Sequence, residues 1–364
     1  MSKKFLAISN HGTMIGGGEH SFLDLVSNMP DSWEVVAVVP EKGELEHRLC
    51  EKGVHTEIAP LPIIRPWKIA EIINGIKAYR DLIRKFSPSI IYANGSRAAF
   101  YSGIAGRSLK VSVVWHCRIA EPDRKLDFIL ARLSSIIVAN SHATAKRFVP
   151  CFQSRIRVVH NGIDTKYMSA PDVHVPDLIH KGWKVMLAAA RISKWKRHEL
   201  IIDAFERVAL SDSDVHLVCI GAPDDLDSDW WDLVQEMSRN SRFSSRIHWL
   251  GQVSDVRPWF RSASVLVLAS DNEPFGRVLV EGMACGVPVV AARGGGVVEI
   301  VRDRIDGFLV TLGSAREMAE AINIILQDSS LARQMGESGR SRAEAFSLVN
   351  HVKKMCEIFN EIDT

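Results

Sequence analysis

Two glutamates eight positions apart, Glu273 and Glu281, lie in the stretch of this chain with the most chemical content, DNEPFGRVLVEGMACGVPVVAARGGGVVEIV. The stretch follows the apolar run VLVLA, which reads as a buried strand. In an open α/β sheet, ligands bind where a loop leaves the C-terminal end of a parallel strand and enters a helix. Pro274, Phe275 and Gly276 lead into that helix; its first amides have no internal partners and its dipole favours an anion. The spacing puts Glu273 before the helix and Glu281 about two turns along it, so they cannot form one carboxylate dyad and suit separate hydroxyl contacts. Taken alone, Glu273 is equally a helix-start charge favoured by the dipole, and Glu281 an ordinary helix residue.

A second constellation is AAARISKWKRHELIIDAF, where Arg191 and Lys196 occupy a loop between an apolar strand and an amphipathic helix. Two fixed cations beside a diphosphate lower the energy of the charge that grows on a leaving group. The plainer reading is a basic loop in which Arg197 and His198 face water. A third is SNHGTMIGGGEHSFLDL, where Gly16, Gly17 and Gly18 open a helix after the first strand. Glycines let backbone amides approach a phosphate or sugar closely. Their spacing is not GxGxxG, and no acidic residue clearly closes the second strand WEVVAVVP, which argues against a nicotinamide enzyme. His116 ends the run VSVVW, again at a strand terminus, although a histidine beside Trp115 also suits a purely structural role.

The elements that must hold these residues alternate along the chain. FLAIS, WEVVAVV, HTEIA, SIIYA, VSVVW, SIIVAN and RIRVVH read as strands, then KVMLAAA, VHLVCIG, IHWLG, VLVLA, PVVAA and GFLV, with helical stretches between them. That grammar predicts parallel sheets with helices on both faces. At 364 residues the chain suits two domains. The proline-containing segment TKYMSAPDVHVPDLIHKGW, without clear periodicity, marks a linker near residues 165–183. The expected division is an N-terminal domain over 1–165 and a C-terminal one over 166–345, the last helix, about 346–364, being free to return to the first.

With 46% hydrophobic and 24% charged residues, the composition is that of a soluble globular protein, and no run of about 18 apolar residues suggests a membrane span. FLAIS is too short for a signal-peptide core. The six cysteines are scattered without CxxC pairs, which fits a reducing cytoplasm and buried thiols. The net charge of +2 conceals +7 on residues 1–164 against −5 on the remainder. A basic half points to an anionic partner such as a membrane surface, a phosphorylated lipid or nucleic acid, or to lysines that are merely solvated. Residues 67–86 form an amphipathic helix carrying Lys68, Lys77, Arg80, Arg84 and Lys85; it suits either anionic lipid or a domain core.

EPFGRVLVEGMACGVPVV closely resembles the signature of retaining GT-B glycosyltransferases of the large family 4 type. The resemblance runs in motif order from the GGxE-like glycine loop, through VVWHCR and the Arg191/Lys196 loop, to the paired glutamates and Gly294–Gly296. It implies an α/β GT-B fold, two Rossmann-like doubly wound parallel-sheet domains facing a central cleft. It also implies a nucleotide diphosphate sugar as donor substrate, no cofactor and no metal. By resemblance, Glu273 contacts the donor sugar and Glu281 the ribose, and the amides of Phe275 and Gly276 lie near sugar and diphosphate. Arg191 and Lys196 take the phosphates, Gly16 and Gly17 face the donor, and His116 positions sugar or acceptor hydroxyls, with general-base action less secure. Asn140, Ser141, Asn161 and Asp164, in VANSHAT and VVHNGID, are read as shaping the cleft or hinge.

Arg197 departs from the pattern, standing where a glycine normally follows the lysine, so the local turn is left open. Asp212 with Asp214, and Asp227 with Asp229, imitate the metal motif of the other major glycosyltransferase fold but sit in polar connections where aspartates cap helices or face water. The expected activity is transfer to a glycan, lipid-linked or small-molecule acceptor, in polysaccharide, lipopolysaccharide or glycolipid synthesis. The expected place is the cytoplasm or the inner face of an anionic membrane, without nucleic acid. A nucleotide-sugar epimerase of the same fold, a non-catalytic nucleotide-sugar-binding protein and a nicotinamide oxidoreductase are the alternatives.

Overall fold

All thirteen apolar runs become strands: β1 Lys3–Ser9, β2 Trp33–Val39, β3 His55–Ile58, β4 Ile90–Asn94, β5 Ser112–Cys117, β6 Ile136–Ala139, β7 Ile156–Val158, β8 Lys184–Ala189, β9 Val215–Ile220, β10 Ile247–Trp249, β11 Ala263–Leu268, β12 Val289–Ala292 and β13 Gly307–Val310. The computed structural model from which they are taken describes residues 3–224 and 227–362. β4, β6 and β12 are buried at every position, as expected of strands covered on both faces.

The strands form two sheets, ordered β3-β2-β1-β4-β5-β6-β7 and β10-β9-β8-β11-β12-β13, and each named pairing is parallel. In both, the chain starts at a central strand, winds outward on one side, then returns to pair on the other side of its starting strand. β1 and β4, and likewise β8 and β11, therefore lie side by side with their outgoing loops diverging, which opens a crevice at the strand ends. This topology, rather than sequence proximity, brings Lys196 to Glu273 across 77 positions.

The chain divides into two compact units, residues 1–162 with 348–364, and residues 163–347. Segment 165–183, read from sequence as a linker, belongs to the second unit, where Met168 is buried in the core with Phe260, Phe275 and Phe346. The last helix, Leu348–Ile362, belongs to the first, its Phe359 ring packing against Phe5, Trp33 and Tyr92. A helical face of Leu348, Val352, Met355 and Phe359 explains the placement, since burying it beside β1 and β4 removes it from water.

The amphipathic helix Ile69–Phe86 buries Gly75, Tyr79 and Ile83 and leaves Ile69 and Ile73 exposed. No described helix is long and apolar enough to cross a membrane. Cys117, Cys219 and Cys285 are buried, but Cys50 and Cys151 are exposed, correcting the expectation that each thiol is a core group.

Candidate functional site

In the second unit, the loop after β8 carries Arg191 and Lys196 and the loop after β11 carries Glu273. Lys196 Nζ donates to Glu273 Oε2 at 2.6 Å, with both side chains almost enclosed. The ammonium also lies 4.0 Å from the centre of the Trp195 ring. Asp271 N–H donates to the Trp195 carbonyl at 3.0 Å, so main chain and side chains together tie the two loops. Arg191 lies farther out, its Nη1 3.3 Å from Asp224 Oδ2. Glu281 is fifth in the helix Arg277–Ala284, little more than one turn along, where Arg277 Nε donates to its Oε1 at 2.7 Å.

The Arg197 turn keeps a glycine-like shape: its φ is +57°, left-handed, and it caps the helix His198–Ala209. Its guanidinium bonds Glu199 at 2.5 Å and Asp271 at 3.3 Å. His198, read as solvated, is instead buried as the first residue of that helix. Burial, and then the Lys196 charge, lower its pKa to about 4, so the ring is neutral. Neither ring nitrogen has a hydrogen-bond partner, and the buried hydroxyls of Ser193 and Ser270 have none either.

The loop after β12 completes the site. Gly296 N–H donates to the Glu273 carbonyl at 2.7 Å. Gly295 has φ +55°, and a β-carbon there would collide with that same carbonyl oxygen. The three glycines 294–296 lie so close to the backbone of 271–275 that no side chain fits between. Gly276, at φ +102°, turns the chain into the helix, and Phe275 is buried edge-on against Phe346, leaving only its main chain for a ligand.

In the first unit, the helix Gly17–Ser27 begins at Gly16, whose N–H donates to Glu19 Oε2 at 3.1 Å. His116 is fully buried. Its Nδ1 faces the Tyr92 hydroxyl at 2.8 Å and Arg118 Nη2 at 3.2 Å. A guanidinium only donates, so Nδ1 is the acceptor and Nε2 carries the ring proton. Nε2 has no protein partner. Burial and the Arg118 charge hold the pKa well below the usual histidine value. Arg118 also donates to Asn94 Oδ1 at 2.7 Å and to Asn161, and Asn94 Nδ2 donates to the Gly18 carbonyl at 3.3 Å. The glycine loop, β4 and β5 are thereby joined in one polar network around Arg118.

Of the acidic pairs, Asp212 holds Lys184 at 2.7 Å and Asp227 accepts from Lys194 N–H at 3.1 Å. Among the described residues, no group of three or more His, Cys, Asp or Glu is placed to hold a metal ion.

Residues 15–167 match the family model described as Glycosyltransferase Family 4, and residues 172–342 the model described as Glycosyl transferases group 1. The chain belongs to the family 4 type of group 1 glycosyltransferases. Lipopolysaccharide core biosynthesis glycosyltransferase LpsE of Rhizobium meliloti (strain 1021) is 26% identical over 325 residues, 89% of each chain. N-acetyl-alpha-D-glucosaminyl L-malate synthase of Bacillus anthracis is 26% identical over 212 residues, a match spanning 57% of this chain and 54% of that one. Among solved structures, Anabaena Alr3699/HepE in complex with UDP-glucose shares the fold, with a TM-score of 0.87 over 98% of this chain and 99% of that one at 23% identity.

For this glycosyltransferase, reading the sequence singled out Arg191 and Lys196, which lie in the loop after β8, and Glu273, Phe275, Gly276 and Glu281, which lie in the loop and helix after β11, all in the second unit; of these, Lys196 and Glu273 meet directly. Gly16, Gly17 and His116 lie in the first. It missed Arg118, Asp271 and Arg277 as organisers, though Arg118 is two residues beyond His116 and Arg277 one helical turn before Glu281. Arg197→Gly supplies a further test of the loop. A left-handed non-glycine residue is unfavourable by roughly 1–2 kcal/mol and partly exposed ion pairs return up to about 1 kcal/mol. The variant is expected to change unfolding free energy by less than about 1 kcal/mol in urea titrations, whereas Arg197→Val, β-branched at φ +57°, is expected to be clearly less stable.

Proposed function

We propose that this protein is a retaining, metal-independent glycosyltransferase that moves a sugar from a nucleoside diphosphate sugar to a glycan or lipid-linked acceptor. The observation that carries the reading is the enclosed Lys196–Glu273 pair, tied to the glycine loop 294–296 at the β8/β11 crevice. It supplies a fixed cation for a pyrophosphate and a carboxylate for sugar hydroxyls. HepE, a structural neighbour, is seen in complex with UDP-glucose, which supports the donor class, and LpsE is a lipopolysaccharide core biosynthesis glycosyltransferase, which supports the acceptor class.

In this reading the diphosphate lies on the Phe275–Gly276 amides with Arg191 and Lys196, Glu273 orients the sugar, and Glu281, held by Arg277, takes the ribose hydroxyls. As the glycosidic bond to the diphosphate lengthens, negative charge builds on the leaving oxygen where the two cations already stand. The acceptor hydroxyl oxygen attacks the same sugar face as the bond to the diphosphate breaks, its proton passing to the departing phosphate oxygen, so the anomeric configuration is kept without a protein nucleophile. Gly16 and Gly17, at the start of the first-unit helix Gly17–Ser27, offer main chain to a sugar or phosphate group. His116, neutral with its proton on Nε2, positions a hydroxyl by donating a hydrogen bond and does not act as a base at that nitrogen. Peripheral contact with anionic membrane rests on the exposed Trp67, Ile69 and Ile73 beside Lys68.

A thermal-shift screen of nucleotide sugars is expected to raise the unfolding temperature for one donor, because ligand bound to the native state stabilises it. Glu281→Gln is expected to raise the donor KM about tenfold with a smaller change in kcat, as loss of a charged hydrogen bond to a non-reacting hydroxyl predicts. Conversion of donor to an epimer without any acceptor would overturn the transferase reading in favour of an epimerase.

A further inference from the structure

A cavity in the first unit is lined by none of the site residues named above. It has a volume of about 420 Å3 and is lined by Arg107, Phe128, Arg132, Cys151, Phe152 and Arg155. These come from the end of helix Ser96–Leu109, from helix Arg124–Leu133 and from the short turn Pro150–Arg155.

Its charge is one-sided. Several arginines elsewhere pair with carboxylates, as at Arg147–Asp127, Arg197–Glu199, Arg257–Asp255, Arg277–Glu281 and Arg302–Asp306, and others, such as Arg246 and Arg342, bond main-chain carbonyls singly rather than clustering around one space. No carboxylate lines this cavity, and among the described residues none of its three arginines makes an ion pair. Three like charges facing one space repel each other unless an anion joins them.

Two of the three are held in place by the main chain. Arg155 Nη1 reaches the Ala131 and Ser134 carbonyls at 3.4 and 3.5 Å, and Arg107 Nη1 reaches the Arg132 carbonyl at 3.5 Å. Capping a helix C-terminus in this way is favourable, but it engages one nitrogen of guanidinium groups that each carry five N–H donors. The remaining donors can form the forked contacts that phosphate oxygens accept. Beneath them lies apolar surface: the Arg132 guanidinium sits 5.1 Å from the centre of the Phe128 ring, and Phe128 meets Phe152 edge-on at 5.5 Å.

We infer that this cavity binds the phosphoryl group of a ligand that also carries an apolar portion, the arginines taking the phosphate and Phe128 with Phe152 the apolar part. The inference does not depend on the donor reading, whose cations are in the second unit.

Cys151 lines the cavity and is exposed, and Cys50, also exposed, does not line it, so the protein carries its own probe and reference. The full-length chain is labelled with N-ethylmaleimide, a neutral reagent, and the rate at each cysteine is read by peptide mass spectrometry. Inorganic pyrophosphate, uridine diphosphate and dihexanoyl phosphatidic acid below its micelle concentration are each titrated in, with dihexanoyl phosphatidylcholine as the uncharged-net control. Phosphoryl ligands are expected to slow Cys151 and leave Cys50 unchanged. Greater potency of phosphatidic acid identifies a lipid-borne phosphate, and greater potency of uridine diphosphate a soluble one. Arg132→Gln, which removes no main-chain bond, and Arg107→Gln are each expected to weaken protection about tenfold. Lys196→Ala is expected to retain it, which separates this cavity from the donor site. Cys151 rates unaffected by all three anions, protection that survives both arginine substitutions, or protection lost in Lys196→Ala, overturns the inference.

Discussion

Lys196→Ala is expected to lower kcat by about 10²–10³-fold, the effect of removing a preorganised group that stabilises charge developing in a transition state. The ammonium is held from two sides, by Glu273 at 2.6 Å and by the Trp195 ring at 4.0 Å, with little freedom to reorganise during the reaction. A cation fixed in this way binds a departing pyrophosphate more strongly than the intact donor, whose charge is lower, so the loss falls on kcat more than on KM. The substitution also leaves the Glu273 carboxylate without its ion-pair partner, which costs stability; thermal unfolding of the variant separates that contribution from the kinetic one. Lys196→Arg provides the control. It keeps the charge, but a planar fork cannot occupy the place of a compact ammonium against Glu273, and partial activity is expected. Steady-state kinetics with saturating acceptor decide the matter: turnover within about threefold of the parent would remove Lys196 from the charge-stabilising role.

How far the sequence anticipates this arrangement depends on the range of the interaction. Strands were legible because each is a short apolar run bounded by turn residues, so both parallel sheets follow from local pattern and alternation. The strings around Lys196 and Glu273 were legible as separate motifs. Their contact was not, because it is created by β8 and β11 lying side by side, a fact of strand order that no spacing along the chain encodes. Arg197 illustrates the same limit in a local turn. A glycine was the natural occupant, and only the structure shows an arginine at φ +57° whose guanidinium is tied to Glu199 and Asp271. His198 was misread for a related reason: a histidine in a run of basic residues looks solvated, but as the first residue of an amphipathic helix it turns inward. The segment 165–183 lacks periodicity yet is part of the second unit, since Thr165 and Met168 are buried at its start and Ile179 and Trp183 pack against the same core at its end. Arg118 escaped notice because its importance lies in the number of its partners, Asn94, Asn161, Tyr92 and His116, which come from three separate places in the chain: β4, β5 and the stretch after β7.

Gly295→Ala is expected to lower kcat/KM by about 10²-fold while the protein still folds, because a small displacement of positioned groups is enough to disrupt a reactive geometry. Two constraints meet at this residue. Its φ of +55° is disfavoured for alanine, and the added β-carbon would fall far inside contact distance of the Glu273 carbonyl oxygen. Neither backbone can yield freely. Gly296 N–H donates to that carbonyl at 2.7 Å, and Gly294 and Gly296 lie against the carbonyls of Asp271 and Pro274, where an added β-carbon would come within 2.8 and 2.6 Å. The loop that carries Glu273 must therefore move, and with it the carboxylate that Lys196 holds. Gly313, whose φ is +79° with open space around it, gives the comparison. Gly313→Ala meets the same backbone penalty without a collision near Glu273, so it is expected to lose stability of the order of 1 kcal/mol with turnover almost unchanged. Urea unfolding and steady-state kinetics on the two variants separate the effects. Equal turnover in Gly295→Ala and the parent would mean that the position of Glu273 does not govern the reaction, and the donor site would have to be sought elsewhere.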